Sequence, residues 1–331
     1  MRVTIMSSTG ASRGFTYYLN SEGHTVTTCT NGDITFIPDI AITDILDTEL
    51  TENLRKQGVK VLGCTSWSKL LETNGDYQHA TIRALGFNPL TSDTKGDRVT
   101  LFCIFNGNKI VSKCLVFPYK RFMSSDVGVE VACSGFLSYF DIHSSKLANL
   151  ILDPLEKYLR KAAHKGCFTV DCIVDKGDIY VEAVSGDTDK AYISSVFENS
   201  RLNKSDVLLR VFDEASSPVP YVEPWSCGVL VSVAPFPFYQ PKEESKVDGF
   251  NPFNLKHLWL IDAEKEGDQW VCGKNNGTVG YVTSRGTSIQ KVARRAYRTL
   301  SNIHTENIQY RSDIGKDVYD RFARLQAAKL V

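Results

Sequence analysis

The sequence predicts an α/β fold that becomes α+β in its second half, and three observations carry that expectation. Strands and helices alternate over residues 1–87, two β-rich runs flank an Asn-Gly turn just beyond, and apolar strands between proline-broken loops dominate from about residue 226. At 331 residues, with 42% hydrophobic and 23% charged residues, the chain is long enough for two or three compact domains, each with its own core.

At the N-terminus, "RVTIM" reads as a buried strand, "SSTGASRG" as a glycine loop and "FTYYLNSEG" as a helix. "GHTVTTCT", the apolar "ITFIPDIAI", a helix "DILDTELTENLRKQG" and a strand "VKVLG" continue the alternation, which implies a parallel sheet with ligands at the strands' carboxyl ends. "SWSKLLETNGDYQHATIRALGF" reads as two short helices broken at Asn74 and Gly75. These make an N-terminal α/β domain over 1–87, and a polar linker, "NPLTSDTKGD" at 88–97, separates it from the next domain. "RVTLFCIFNGNKIVSKCLVF" is a hairpin, since Asn-Gly between β-rich runs is the strongest short-range turn signal.

From Ser144 the spacing puts Leu147, Leu150, Ile151, Leu155, Tyr158 and Leu159 on one helical face. Ser144 or Ser145 is the cap, Gly166 the stop, and Pro154 a kink or a division. Strands "CFTVDCIVD" and "DIYVEAV" come next within a core domain at 98–225. A β-rich domain at 226–315 contains "CGVLVSVA", "KHLWLID", "QWVCG" and "TVGYVTS" and then a basic helix, "TSIQKVARRAYRTLSNI". The tail, 316–331, is an amphipathic helix that packs on the body or on a second subunit, the latter making a homo-oligomer.

Composition excludes several function classes. Lys plus Arg and Asp plus Glu both total 38, so no overall field draws the chain to a polyanion. The last sixty residues are nonetheless locally basic, with Arg285, Lys291, Arg294, Arg295, Arg298, Arg311, Arg321 and Arg324. Nine cysteines, without a C-x-x-C pair or a close Cys/His cluster, argue against a disulfide framework or structural zinc and for a reducing, cytoplasmic setting. No run is apolar enough to span a bilayer, so no membrane contact is expected. None of His24, His79, His143, His164, His257 and His304 has metal-pair or catalytic-base spacing, and each reads as a surface or capping residue.

"YVEAVSGDTDK" places Glu182, Asp187 and Asp189 within eight positions, a candidate metal cluster. The order of segments around it resembles glycinamide ribonucleotide synthetase (phosphoribosylamine-glycine ligase), an ATP-grasp family. "SSTGASRGF" is similar to that family's glycine loop at Gly10, Arg13 and Gly14, and "IPDIAITD" to its G-P-E-x-P-L loop, with Asp39 in the Glu place. "KVLGCTSWSKLLE" resembles its strand, Gly-Pro and helix ending in Glu. "LILDPLEKYLRKAAHKG" resembles its core helix and "IQYRSDIG" its Y-R-x-D-I-G signature. The resemblance implies a pre-ATP-grasp-like N-terminal domain, an ATP-grasp core and a C-terminal β-rich domain. It also makes Gly10, Arg13, Gly14, Asp39, Lys120, Arg121, Arg311 and Asp313 substrate-binding candidates, with Glu182 and Asp187 as remnant metal ligands.

The departures are as informative. The family carries a whole lid subdomain that grips ATP where this chain has only 88–97, so the core is truncated. Its glycine-rich segment corresponds to "SDVGVEVACSGF", which keeps Asp126 and Gly128, and its metal-loop Asn is replaced by Val184. The expectation is no cofactor: magnesium-ATP, which needs a near-octahedral oxygen set shared with phosphates, is not bound.

Two functions remain open on this reading. One is a divergent amino-acid ligase or transferase that joins an amino acid to a pre-activated nucleotide or nucleic-acid substrate without using ATP. The other is a catalytically inactive pseudo-ligase that binds a metabolite, nucleic acid or protein. Gly10 and Gly14 would bring backbone amides to a phosphate, Arg13 would clamp an anion, and Asp39 would sit at a strand's carboxyl end. Lys120 and Arg121 are anion-binding candidates, while Arg311 and Asp313 are better read as an internal ion pair. Lys291, Arg294, Arg295 and Arg298 on successive turns form a candidate DNA contact, against the reading of a solvated helix face.

Overall fold

The structure, a computed structural model, describes residues 1–8, 10, 13–29, 36–90, 95–187 and 191–331. Asp189 of the acidic loop and residues 91–94 of the linker therefore lie outside the described residues.

The N-terminal lobe runs β1 (Arg2–Met6), α1 (Gly14–Ser21), β2 (Thr25–Cys29), β3 (Ile40–Thr43), α2 (Thr48–Lys56) and β4 (Lys60–Leu62). Its four strands are parallel in the order β2-β1-β3-β4. The chain thus returns across β1 to lay down β3, and the carboxyl ends of β1 and β3 flank a topological switch point, where open α/β sheets bind ligands. Helices α3 (Ser66–Thr73) and α4 (Gly75–Ala84) then meet at Asn74, which ends one and caps the other by accepting the Tyr77 amide at 2.9 Å.

Beyond β5 (Asn88–Pro89) come β6 (Asp97–Phe105), β7 (Ile110–Met123), β8 (Val127–Tyr139), α5 (Lys146–Lys161), β9 (Gly166–Asp175) and β10 (Asp178–Ser185). After α6 (Ile193–Asn199) and α7 (Lys204–Arg210) come β11 (Trp225–Val233), β12 (Ser245–Asp248), α8 (Pro252–Leu255), β13 (Leu258–Leu260), β14 (Ala263–Glu266), β15 (Gln269–Cys272) and β16 (Thr278–Gly286). The chain closes with α9 (Ile289–Leu300), β17 (His304–Thr305), β18 (Ile308–Gln309) and α10 (Val318–Ala327). One ten-stranded sheet, ordered β13-β16-β11-β8-β7-β6-β9-β10-β5 with β18 against β11, unites segments 98–225 and 226–315. A small sheet, β14-β15-β12-β17, completes the second half.

Strand alternation gives the large sheet two faces. Leu115, Phe117, Leu137, Val170, Cys227, Val229 and Val282 pack under α5, α9 and α10. Phe102, Cys114, Phe136, Leu230 and Tyr281 point the other way, toward α1, α6 and α7. Helix α5 buries Leu147, Ile151, Leu155 and Leu159 at every fourth position, yet two expectations change. Leu150 is exposed, and the helix runs unbroken through Pro154 to end at Ala162, where Ala163 at φ +50° and not Gly166 makes the stop. Tail helix α10 packs on the chain's own body: Phe322 meets Trp225 and Tyr139 edge-on, and the Leu330 carbonyl accepts the Leu147 amide and the Ser145 hydroxyl. Among the described residues no helix is long and apolar enough to cross a membrane.

Candidate functional site

A cleft of about 570 Å³ opens between the large sheet and the N-terminal lobe. Lys120, Asp171, Thr169, Ser185 and Glu72 line one side, and Trp259, Ile261, Tyr281, Leu230 and Phe236 the other. Alternation decides who faces it. Lys120 on β7 turns toward the cleft, whereas Tyr119 packs into the core of the opposite face and the Arg121 side chain reaches out to the Gly128 carbonyl. Residues 131–134 of β8 stand opposite Lys120 alone, three more than a regular ladder holds, since Tyr119 pairs with Gly135 but Arg121 with Glu130, and this bulge places Val131, Ala132 and Cys133 in the cleft wall. The segment matched to the family's glycine-rich loop is therefore a bulged strand, pinned by the Ser134 hydroxyl on the Tyr119 and Arg121 carbonyls. Burial pushes the Cys133 thiol up to about 12, which leaves it inert as a nucleophile.

Where Lys120 and Asp171 line the cleft, four charges meet, the other two being Glu182 and Arg98 behind them. The Lys120 ammonium lies 3.1 Å from Asp171 Oδ2 and 3.3 Å from Glu182 Oε2, and the Arg98 guanidinium lies 3.0 Å from Glu182 Oε1. Thr100 donates its hydroxyl to Asp171 Oδ1 at 2.5 Å. Glu182 reaches this cluster because it is the extra residue of a bulge in β10, where Val181 pairs with Cys172 but Ala183 with Asp171.

A divalent ion does not fit this arrangement. Both Glu182 oxygens are already held by cations, and Val184, in the Asn ligand's place, is fully buried against apolar neighbours. Asp187 lies beyond on the loop, its amide bonded to the Ser185 hydroxyl at 3.3 Å, and Glu72 of α3 accepts that hydroxyl and the Gly186 amide. Among the described residues no three His, Cys, Asp or Glu side chains are placed to hold a metal. The expected remnant ligands are thus an ion-paired carboxylate, Glu182, and a loop residue, Asp187.

The glycines of the first loop serve packing. A Cβ on Gly14 would lie 2.1 Å from the Trp259 ring, and one on Gly10, at φ +85°, 2.9 Å from the Ile261 carbonyl, so both let the N-terminal lobe press on the second half. Arg13 faces Glu264 at 3.9 Å. Asp39 corrects an expectation. It precedes β3 at the amino end of the sheet, donating its amide to the Arg2 carbonyl at 2.9 Å and accepting the Arg2 amide on its carboxylate at 2.8 Å. Pro38 has no N–H for a parallel ladder, so the strand starts only after it. The acid at the carboxyl end is Asp44, which accepts the Ser7 hydroxyl and the Ser8 amide beside the switch point, while Ser7 accepts the Gly10 amide at 2.8 Å.

The signature near the C-terminus is a clamp against Tyr119 and Arg121, on the other side of β7 from the cleft. Buried Arg311 reaches both Asp313 oxygens at 2.8 and 2.9 Å, the Arg121 carbonyl at 2.9 Å and Asp126 at 3.1 Å, and it stacks 4.6 Å above the Tyr119 ring. Asp313 in turn accepts the Ser125 amide at 2.7 Å, fastening the β7–β8 tip. Arg121 is turned outward to the Gly128 carbonyl. Basic helix α9 sits on the sheet face opposite the cleft, with Lys291 bonded to the Thr287 hydroxyl and Arg295 to the Arg285 carbonyl. Two histidines also depart from the surface reading: His164 is 1% exposed, and His257 meets buried Glu198 at 3.0 Å.

This layout has solved counterparts. Phosphoribosylamine–glycine ligase of Thermotoga maritima aligns over 95% of this chain and 100% of its own, with TM-score 0.64 and 15% identity. The fold is ATP-grasp-like. N5-carboxyaminoimidazole ribonucleotide synthetase of Thermotoga maritima (92% and 99% covered, TM-score 0.56, 10% identity) shares the ATP-grasp-like layout. So does the biotin carboxylase domain of a single-chain bacterial carboxylase (99% of each chain, TM-score 0.61, 9% identity). No family model matches the sequence.

Three residues of this site escape sequence reading. Asp171 has a faint signal, a lone charge at a cleft-facing position of a strand, whereas Arg98 sits among the charges of "KGDR" and has none. Asp44 has a clearer one, an acid directly after the apolar "IAIT".

Proposed function

We propose that the chain is an amino-acid transferase that joins the amine of an amino acid to a nucleotide or nucleic-acid substrate already activated by phosphorylation, without using ATP. The observation that carries this reading is the ion-paired Glu182: the carboxylate that would share a magnesium ion with nucleotide phosphates is held by Lys120 and Arg98. Only the short connection 88–97 stands where a lid would grip ATP. The substrate classes are taken from the ligase neighbour, whose name joins an amine to glycine. Chemically, the amine nitrogen attacks the carbon that bears the phosphate ester. A C–N bond forms, the C–O bond breaks, and the phosphate leaves with the bonding pair. Asp171, which lines the cleft, takes the amine proton, and positioning of the two reactants supplies the acceleration.

The test is mass spectrometry of incubations with glycine or serine and 5′-phosphorylated or base-phosphorylated nucleosides and DNA, with ATP omitted. A product heavier by the amino acid and lighter by phosphoric acid is expected, and Asp171→Asn should abolish it. Tight binding across the panel with no product would instead make the chain a binding module. A product from DNA alone, with affinity falling steeply as salt rises, would assign phosphate contacts to Arg294 and Arg298 of α9.

A further inference from the structure

The mismatch between this charge cluster and a metal site has a specific cause in one side chain. Asp171 on β9 and Glu182 on β10 converge on a single point, and that point is filled by the Lys120 ammonium at 3.1 and 3.3 Å. Both are ion-pair distances, well within 4 Å. We propose that Lys120 is a built-in cation occupying the place of a divalent ion, so that the chain carries its own fixed charge there and excludes metal. With Arg98 on Glu182, two cations face two carboxylates and the cluster is neutral, leaving no excess negative charge to attract a second cation. The cluster is partly shielded, each of the four side chains being between 20% and 31% exposed, so a fixed positive charge acts there at reduced dielectric screening.

Lysine can hold this place because its flexible stem reaches from β7 across β6 to β9, delivering a point charge with three donors. The Glu182 bulge and the Thr100 hydroxyl on Asp171 orient both acceptors toward it. Removing the ammonium would leave the carboxylates converging with nothing between them. Replacing it by aspartate would leave a shorter side chain on β7, two strands from β9, and turn the local charge negative. The proposal concerns charge and geometry at this cluster and stands independently of the transferase reading.

The test is manganese binding, read by loss of the free-ion paramagnetic resonance signal and by the shift of the unfolding midpoint. The wild-type chain is expected to show no stoichiometric manganese site. Lys120→Met or Lys120→Asp is expected to gain one, with affinity raised about a hundredfold or more over wild type, while Lys120→Arg, which keeps the charge, gains none. A manganese site in the wild-type chain that Glu182→Gln removes would overturn the proposal, and that measurement needs no substitution of Lys120. Failure of both Lys120→Met and Lys120→Asp, with circular dichroism matching wild type, to bind manganese would overturn it as well.

Discussion

Replacing Arg311 by methionine is expected to lower the unfolding free energy by about 3 to 5 kcal/mol, the usual cost of breaking a buried ion pair. The guanidinium is almost wholly buried and makes bonds to Asp313, Asp126 and the Arg121 carbonyl while stacking on Tyr119. Its loss strands the Asp313 carboxylate, whose own ionisation Arg311 favours, and uncouples the β7–β8 tip from the C-terminal segment. Exposed Asp126 adds little to the total. Denaturant unfolding measures the loss. Because the clamp lies on the face away from the cleft, residual folded protein should keep its ligand affinity, which a binding titration at low temperature checks.

Acidification should destabilise the chain through His164. Its Nε2–H donates to the Cys167 carbonyl at 3.0 Å, while Nδ1 is buried without a partner among the described residues, and Trp67 and Phe168 enclose the ring. Burial lowers its pKa from 6.5 to about 4, the Cys167 bond opposing that shift and the Arg55 charge adding to it. The unfolded chain therefore binds the extra proton first between those values. Stability is complete above pH 6.5 and falls as pH drops toward 4, by roughly 3 kcal/mol from this residue. His164→Gln should remove that part of the slope. Comparing unfolding free energies of the two proteins from pH 4 to 7 checks it, and parallel curves would contradict the assignment.

Much of the scaffold was legible because its signals are local. Asn74 caps one helix as it ends another, Asn106-Gly107 closes the β6–β7 hairpin, and the fourfold spacing of Leu147, Ile151, Leu155 and Leu159 marks the buried face of α5. The site was less legible because its geometry depends on register. One extra residue at Glu182 and several at 131–134 re-aim side chains by bulging the strands, and no residue-type pattern announces a bulge. The pairing of Lys120 with Asp171 joins strands 51 residues apart, and Arg98 enters from a third strand. Asp39 misled for a simpler reason: an apolar run around Pro38 read as one strand, while the missing proline N–H delays the ladder until Ile40. His164 misled because a polar pair, His164-Lys165, just after a helix looks like a cap, when the imidazole turns inward beside Trp67.

The measurement that bears most directly on the central claim is thermal unfolding of the wild-type chain across a magnesium-ATP concentration series. An ATP-grasp-like fold whose Glu182 is held by Lys120 and Arg98 should show an unchanged midpoint. A site-specific ligand would add about 2.7 kcal/mol at a hundredfold excess over its dissociation constant. A midpoint that climbs with magnesium-ATP, and no longer climbs in Glu182→Gln, would contradict the account.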